Sequence, residues 1–355
     1  METYLVAGRF PTKSLRSSPR CSALSNSRNA SLFHGTVCDF QPEMEKKTLN
    51  LNRMFIFGMG FVGQYFAHEL KRHGWEISGT CTTVAKKMKL EEMGFDPILF
   101  NASDPELRSL NPLQGSSHLL ISIPPIDGLG DPVLSLHQDI IRRILGNGNV
   151  QWMGYLSSTS VYGDCGGAWV EEDYPINATS ERAKARLAAE KGWLDLGNDL
   201  DIPAYVFRLG GIYGPGRSAL DTTIKHETLS KSQKMRESRN YTSRVHVADI
   251  CQALIASMVL PSSSSGVYNV VDDNPAPRAE VFAFAQTLIQ ERWSGHVMEC
   301  SSLDRSDVTI EEENVKTGKR VSNARLKQEL GVTLLHPTYR SGLQSIAETM
   351  NNPFQ

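Results

Sequence analysis

The sequence lacks a long apolar run, a paired-cysteine motif and a strong charge of either sign. It has no stretch of about 18 consecutive apolar residues, so we expect no membrane-spanning helix. The 37 lysines and arginines nearly balance the 39 aspartates and glutamates, and the net charge of −2 disfavours nucleic acid as a partner. The six cysteines lie far apart, without a Cys-x-x-Cys pair, so we predict no metal site and no disulfide framework.

Acidic residues are also missing from residues 9–31, which contain seven serines and five arginines or lysines. An acid-poor leader rich in arginine and serine is typical of an organelle transit peptide. We therefore interpret residues 1–50 as a transit or disordered segment and expect import into the chloroplast stroma. Mitochondrial or cytoplasmic location and an ordinary disordered tail are the alternatives.

Beyond residue 50, short apolar runs alternate with amphipathic segments. The predicted strands are 54–57, 76–81, 97–100, 118–123, 152–157, 204–209 and 266–271. The predicted helices are 61–73, 84–93, 133–145, 181–196, 249–260 and 278–291. This alternation predicts an α/β fold, a Rossmann-type doubly wound parallel sheet with a smaller C-terminal substrate lobe.

The alternation of strands and helices changes along the chain, and this change suggests a division into domains. We assign residues 51–210 to an NAD(P)-binding Rossmann domain and residues 211–345 to a smaller α/β substrate-binding lobe interwoven with it. Residues 346–355 are assigned to a tail. Residues 217–243 are polar and lack a strong period, which predicts a loop or lid.

A Gly-x-Gly-x-x-Gly motif stands between the first predicted strand and the first predicted helix. In that context it is typical of a dinucleotide-binding turn, in which one glycine makes the turn, one lets the backbone approach the pyrophosphate and one permits close packing. The N–H groups at the helix N-terminus favour phosphate. The expected cofactor residues of this turn are Gly58, Met59, Gly60, Phe61, Val62 and Gly63.

The end of the second predicted strand lacks the carboxylate that usually binds the ribose of NAD. It offers Thr82 and Thr83 instead, followed by Lys86 and Lys87. Hydroxyl groups and cations suit the 2′-phosphate of NADP, so NADP is favoured over NAD. The alternative is that both lysines belong to a solvated helix face.

Five further stretches occur in an order that resembles one protein family: residues 155–163, 208–217, 244–250, 267–273 and 319–326. Together they make the chain resemble the short-chain dehydrogenase/reductase superfamily, in its extended or atypical branch of the NAD-dependent epimerase/dehydratase type. The resemblance covers roughly residues 52 to 345 and suggests a plant organellar member.

The resemblance implies roles for four residues. Ser158 matches the family's serine at the end of the fifth strand, which polarises the substrate carbonyl or hydroxyl. Ser122 and Pro124 end the fourth strand, where the family's backbone passes the cofactor. Tyr162 belongs to the serine stretch, and we interpret it as a packing residue.

The family's catalytic Tyr-x-x-x-Lys pair is absent. The best register places Arg182, 24 residues after Ser158, at the tyrosine position and Arg186 at the lysine position. Arg186 could replace the lysine as a cation, whereas a guanidinium cannot act as a proton donor near neutral pH. A second register uses Lys184 but places Ser180 where tyrosine belongs, and a solvated helix face is the third interpretation.

Three other arginines are candidate ligands of an anionic substrate because sugar-nucleotide members of the family use arginines in that way. They are Arg208, Arg217 and Arg244, with structural ion pairs as the alternative. His246 is interpreted as a packed strand residue, and Asp249 as the cap of the following helix.

Two functions remain open from the sequence. The first is an NADP-dependent oxidoreductase or epimerase that acts on a small, anionic organic substrate with Ser158. The second, favoured by the missing tyrosine, is a non-catalytic NADP-binding regulator or scaffold in the plastid. The sequence predicts no oligomeric state.

Overall fold

The computed structural model describes residues 52–104, 110–147, 149–225, 239–260, 265–293 and 318–352. The predicted transit segment, residues 1–50, lies outside the described residues. The strands are β1 Arg53–Phe57, β2 Glu76–Cys81, β3 Asp96–Leu99, β4 His118–Ile121, β5 Trp152–Ser158, β6 Trp169–Val170, β7 Ala204–Leu209, β8 Gly211–Tyr213, β9 Arg244–His246, β10 Gly266–Val270 and β11 Arg320–Val321. The helices are α1 Phe61–Arg72, α2 Val84–Glu92, α3 Asn111–Gln114, α4 Pro132–Leu145, α5 Glu181–Asp199, α6 Ala219–Ile224, α7 Val247–Met258, α8 Arg278–Arg292, α9 Ala324–Leu330 and α10 Tyr339–Thr349.

Seven strands form one parallel sheet in the order β10-β7-β5-β4-β1-β2-β3. The predicted doubly wound Rossmann-type fold is therefore confirmed. The strand order reverses between β1 and β4, and ligands of such sheets bind beyond the carboxyl ends of the strands at this point. The turns that follow β1, β2, β4 and β5 all open at that edge.

Both faces of the sheet are covered by helices, which explains why the strand sequences are apolar without alternation. Phe66 of α1 and Leu254 of α7 belong to the core on one face. Ile141 of α4 and Trp193 of α5 belong to the core on the other face. In β1, the side chains of Met54 to Phe57 are fully buried between these layers.

The second half of the chain contributes to the same sheet. Strand β10 pairs with β7, with Val267 opposite Val206, so the sheet crosses the predicted boundary at residue 210. Strand β8 pairs with β9 and β6 with β11 in two small parallel sheets. Helices α6, α8 and α10 pack around a third core, which holds the smaller lobe together.

Two boundaries differ from the sequence-based expectation. Helix α10 continues to Thr349 and buries Ile346 and Ala347, so the tail cannot begin at residue 346. The predicted loop at 217–243 contains α6, while residues 226–238 of it lie outside the described part.

Within the described ranges, no helix is long and apolar enough to cross a membrane. The same ranges contain no group of three or more histidine, cysteine or acidic side chains suited to a metal ion. The cysteines described there, Cys81, Cys165 and Cys251, are free thiols.

Candidate functional site

The glycine turn after β1 is fixed by hydrogen bonds to β2. The Gly58 amide donates to Thr80 Oγ1 at 2.8 Å, and the Met59 amide donates to the Thr80 carbonyl oxygen at 2.8 Å. Gly58 has a φ of +91°, a conformation that L side chains rarely adopt. The turn is therefore set by the backbone of two neighbouring strands.

The other two glycines of the motif differ in what surrounds them. A Cβ at position 63 would lie 2.6 Å from the Gly58 carbonyl oxygen, so Gly63 allows α1 to pack against the turn. A Cβ at position 60 would meet only that oxygen, at 4.0 Å. Protein packing therefore does not require glycine at position 60. A ligand that approaches the backbone closely at this position would require it.

Helix α1 begins at this turn without a side-chain cap on its N-terminus. The first N–H groups of a helix have no acceptor within the helix, so those of Phe61, Val62 and Gly63 suit an anion in front of Gly60. The open position at Gly60 and this uncapped N-terminus fit the pyrophosphate of a dinucleotide.

A cavity of about 280 Å³, the glycine-turn cavity, lies at the carboxyl edge of the sheet. Seven of the predicted cofactor residues line it: Gly58, Met59, Gly60, Thr82, Lys86, Ser122 and Pro124. Residues 100–103 after β3 and Ile126 after β4 also line it, and no sequence motif indicated them. Thr83 is placed differently, because its hydroxyl caps α2 by accepting the Lys86 amide at 3.2 Å.

The lining of this cavity is positively charged. None of the described residues that line it is a carboxylate, and Lys86 contributes a cation. Lys87 points elsewhere and forms an ion pair with Glu91, Nζ to Oε1 at 2.9 Å, on the α2 surface. The two lysines therefore differ, and only Lys86 is placed to meet a ligand.

Ser158 ends β5 at the same edge of the sheet. Its Oγ accepts the Ser160 amide at 3.2 Å, which leaves the hydroxyl hydrogen free to be donated. Arg186 of α5 donates from Nη1 to the Leu156 carbonyl oxygen at 3.3 Å, so its guanidinium lies beside the end of β5. Neither Ser158 nor Arg186 lines the glycine-turn cavity.

Arg182, at the tyrosine position, faces solvent. Its side chain is 80% exposed, and Nε lies 3.2 Å from Oδ1 of Asp127 in the turn after β4. Arg182 therefore forms an exposed ion pair at the position where the family's tyrosine transfers a proton.

Arg208 is buried in β7, opposite Ser157 of β5. Its Nη2 lies 2.8 Å from Glu190 Oε2, and its Nη1 donates to the Tyr162 hydroxyl at 2.9 Å. Ser157 also donates to Glu190. A buried charge needs such partners, so this geometry gives Arg208 a structural role and not the predicted contact with substrate.

A second cavity of about 420 Å³, the arginine cavity, lies in the smaller lobe. Two of the three candidate substrate ligands, Arg217 and Arg244, lie together in its lining, with Arg278 and Lys225. Asp221 is the carboxylate among the described residues of this lining, and it accepts a hydrogen bond from Ser218 at 2.5 Å. Cations therefore outnumber carboxylates here.

Arg244 is buried yet incompletely paired. It is 8% exposed, and Nη2 donates to the Ala276 carbonyl oxygen at 3.0 Å, while Nη1 has no partner among the described residues. Burial lowers the pKa of Arg244, and the nearby Asp272 opposes that shift. Burial raises the pKa of Asp272 to about 8, and the Arg244 guanidinium opposes that shift.

Two buried hydroxyl groups in this lining also have no partner in the described part of the chain. They belong to Tyr213 and Thr242. An unpaired buried polar atom costs free energy, and a polar ligand would relieve this cost. Sequence reasoning missed Tyr213, Thr242 and Arg278 because only the fold brings them together.

The helix after β9 begins differently from the expectation. His246 caps α7, with Nδ1 accepting the Ala248 amide at 3.2 Å. Asp249, the expected cap, accepts the Leu335 amide at 2.6 Å instead. His246 is buried between Tyr213 and His336, in agreement with a packing role.

Comparison with known proteins gives the family. The model of the NAD dependent epimerase/dehydratase family matches residues 136–271. A solved structure of a functionally unknown conserved protein from Silicibacter pomeroyi is 36% identical, with a TM-score of 0.66, over 84% of this chain and 98% of that chain. The chain belongs to the NAD-dependent epimerase/dehydratase family. It is thus a member of the extended or atypical short-chain dehydrogenases/reductases, with the NAD-binding Rossmann fold of that group.

Two other proteins are similar to this chain, one in sequence and one in fold. Protein YeeZ of Escherichia coli K12 is 27% identical over 228 residues, which are 62% of this chain and 77% of YeeZ. UDP-glucuronic acid 4-epimerase of Bacillus cereus, solved with UDP-glucuronic acid and NAD, is 15% identical with a TM-score of 0.59, over 83% of this chain and 98% of that chain. At that identity, the epimerase supports the fold alone.

Proposed function

We propose that this protein is an NADP-dependent oxidoreductase or epimerase that acts on a small, anionic organic substrate. The arginine cavity carries the proposal, because Arg244 keeps an unpartnered nitrogen in a lining rich in cations. A substrate carboxylate or phosphate would pair with Arg244 and Arg217. The cofactor part rests on the glycine turn and on membership in an NAD-dependent family.

The preference for NADP over NAD rests on the glycine-turn cavity. Lys86 and Thr82 line it, and no carboxylate does so among its described residues. Lys86 would pair with the 2′-phosphate, and Thr82 would donate a hydrogen bond to it. Gly58, Met59, Gly60 and the α1 N-terminus would hold the pyrophosphate.

The chemistry divides between cofactor and protein. When bound, the nicotinamide would accept or donate a hydride. Ser158 would donate its free O–H to the reacting oxygen of the substrate, and Arg186 would supply a positive charge beside it. Arg182 cannot provide a proton, so the proton would come from solvent water.

The alternative is a non-catalytic NADP-binding regulator or scaffold in the plastid. It is favoured by Arg182, because an exposed guanidinium at the tyrosine position cannot act as an acid or base. The plastid location rests on the composition of residues 9–31. Fusion of residues 1–51 to a fluorescent protein in plant cells would test it, and fluorescence outside chloroplasts would contradict it.

The first test is a thermal-shift titration of the full chain with NADPH and NADH. We expect stronger stabilisation by NADPH, and Lys86→Ala should reduce this difference while Lys87→Ala should not. Equal stabilisation by both nucleotides would contradict the NADP preference. No stabilisation by either would contradict dinucleotide binding.

The second test is a turnover screen with NADPH and carbonyl substrates that carry a carboxylate or phosphate. Ser158→Ala should abolish most of any turnover, and Ser160→Ala is the matched control because its backbone amide is retained. Dinucleotide binding without turnover of any substrate would support the regulator or scaffold instead.

A further inference from the structure

The arginines of the arginine cavity share an arrangement: each lies over an aromatic ring. The guanidinium carbon of Arg217 is 5.3 Å from the centre of the Phe61 ring. The corresponding distances are 4.2 Å for Arg278 over Phe282 and 5.5 Å for Arg244 over Tyr339. These distances are within the range of cation–π contacts.

One of these rings belongs to the cofactor turn. Phe61 is the first residue of α1 and the fourth of the Gly-x-Gly-x-x-Gly motif. Its backbone amide is among those that face the expected pyrophosphate. Its side chain lines neither cavity but lies under Arg217, which lines the arginine cavity. Phe61 therefore joins the glycine turn to a residue of the arginine cavity.

The turn that carries Arg217 is seated on the same ring. Gly214 and Arg217 exchange two backbone hydrogen bonds, of 3.1 and 3.0 Å, which close the turn. A Cβ at Gly214 would lie 3.2 Å from Phe61 Cζ, so the turn approaches the ring closely. This packing fixes the distance between the turn that carries Arg217 and the Phe61 ring.

An aromatic support has a different electrostatic effect from an ion pair. A carboxylate would hold the guanidinium but would neutralise its charge. An aromatic ring contacts the flat face of the guanidinium and leaves the N–H groups at the edge of the guanidinium free. In the described part of the chain, no ion pair joins Arg217 to a carboxylate. Its charge is available to an incoming anion.

We infer that Phe61 is a positioning residue for Arg217, so that the dinucleotide turn also organises the substrate cavity. This inference rests on the proposed function, in which Arg217 binds the substrate's anionic group. Phe61 touches no substrate atom itself. It acts by keeping the Arg217 guanidinium in place and charged.

The inference predicts that loss of the ring weakens anion binding only while Arg217 is present. Phe61→Leu removes the π face but keeps an apolar side chain, and it should weaken binding of inorganic pyrophosphate about two- to fivefold. Phe61→Tyr keeps the face and should restore most of the affinity. Arg217→Gln should weaken binding by at least as much as Phe61→Leu.

The experiment is a double-mutant cycle by isothermal titration of the full-length protein with inorganic pyrophosphate. Pyrophosphate could also bind at the glycine turn. The binding heat that the wild type shows and the Arg244→Gln variant lacks therefore defines binding in the arginine cavity. We expect the double variant Phe61→Leu/Arg217→Gln to bind no more weakly than Arg217→Gln alone. Arg292→Gln, which removes the same charge outside the cavity, is the control.

The outcomes separate the inference from the proposed function. If Phe61→Leu and Arg217→Gln weaken binding additively, or if Phe61→Tyr is as weak as Phe61→Leu, the inference is overturned while the anion site stands. If the wild-type protein binds no pyrophosphate in the arginine cavity, both are overturned. Should Phe61→Leu fail to fold, Phe61→Met takes its place in the cycle as another apolar residue without a ring.

Discussion

Arg208 and Glu190 form a buried ion pair under the end of β5, with Nη2 and Oε2 at 2.8 Å and side chains 5% and 3% exposed. The pair joins three elements, because Arg208 belongs to β7, Glu190 to α5, and Ser157 of β5 donates to the same carboxylate. Removing one partner of a buried pair leaves the other charge uncompensated, which is more costly than removing both.

We therefore expect Glu190→Gln to lower the free energy of unfolding by about 3–5 kcal/mol. Chemical denaturation monitored by circular dichroism would measure this change. Asp199→Asn is the control, because it breaks the exposed pair with Arg142 and should cost less than about 1 kcal/mol. Equal effects of the two variants would contradict a structural role for the buried pair.

Gly60→Ala should fold normally and lose dinucleotide binding. The added Cβ meets no protein atom closer than 4.0 Å, so only a ligand in front of the turn would be displaced. We expect NADPH affinity to fall at least tenfold with an unchanged melting temperature in the absence of nucleotide. Gly115→Ala, distant from the glycine-turn cavity and 3.4 Å from the flexible end of Arg53, is the matched control. Unchanged NADPH affinity in Gly60→Ala would place the ligand elsewhere.

Asp272 should make stability depend on pH. Burial raises its pKa to about 8 in the folded protein, whereas an unfolded aspartate titrates near about 3.9. The folded state therefore holds this proton more tightly, and the associated stability is present below pH 4 and is lost as pH rises to 8.

Asp272→Asn removes this titration and keeps the shape of the side chain. Relative to the wild type, the variant should become more stable as pH rises from about 4 to 8. Asp249, whose pKa burial also raises, to about 6, titrates in both proteins. Denaturation curves at several pH values would show it, and a difference that does not vary with pH would contradict the prediction.

Arg182→Ala should have little effect on folding, because the ion pair with Asp127 is exposed. We expect a change below about 1 kcal/mol in the free energy of unfolding, measured by denaturation. Lys184→Ala, which removes another exposed ion pair of α5, is the control. A large loss of stability in Arg182→Ala alone would show that position 182 has a structural role that its exposure does not suggest.

The sequence predicted the fold and the glycine turn because both depend on local patterns. The apolar run of β1, the three glycines and the amphipathic α1 are contiguous, and the parallel sheet follows from repeated alternation of such units. The end of α10 was misjudged, since its buried Ile346 and Ala347 pack on residues distant in the chain.

The candidate site was predicted less completely, for a different reason. Arg208, Arg217 and Arg244 look alike as sequence positions, yet Arg208 lies opposite a buried glutamate while the other two line a cavity. That distinction depends on which side chains the folded chain brings near each arginine. Likewise, the assignment of Asp249 as a helix cap failed because the Leu335 amide competes for it.

The pairing of β10 with β7 has a consequence for synthesis of the protein. Strand β7 cannot pair with β10 until residues 266–270 have left the ribosome. These residues lie beyond residues 51–210. A fragment that stopped before β10 would present an unpaired apolar strand edge, which invites association with other chains. Residues 51–210 alone therefore lack the strand that covers the β7 edge of the sheet.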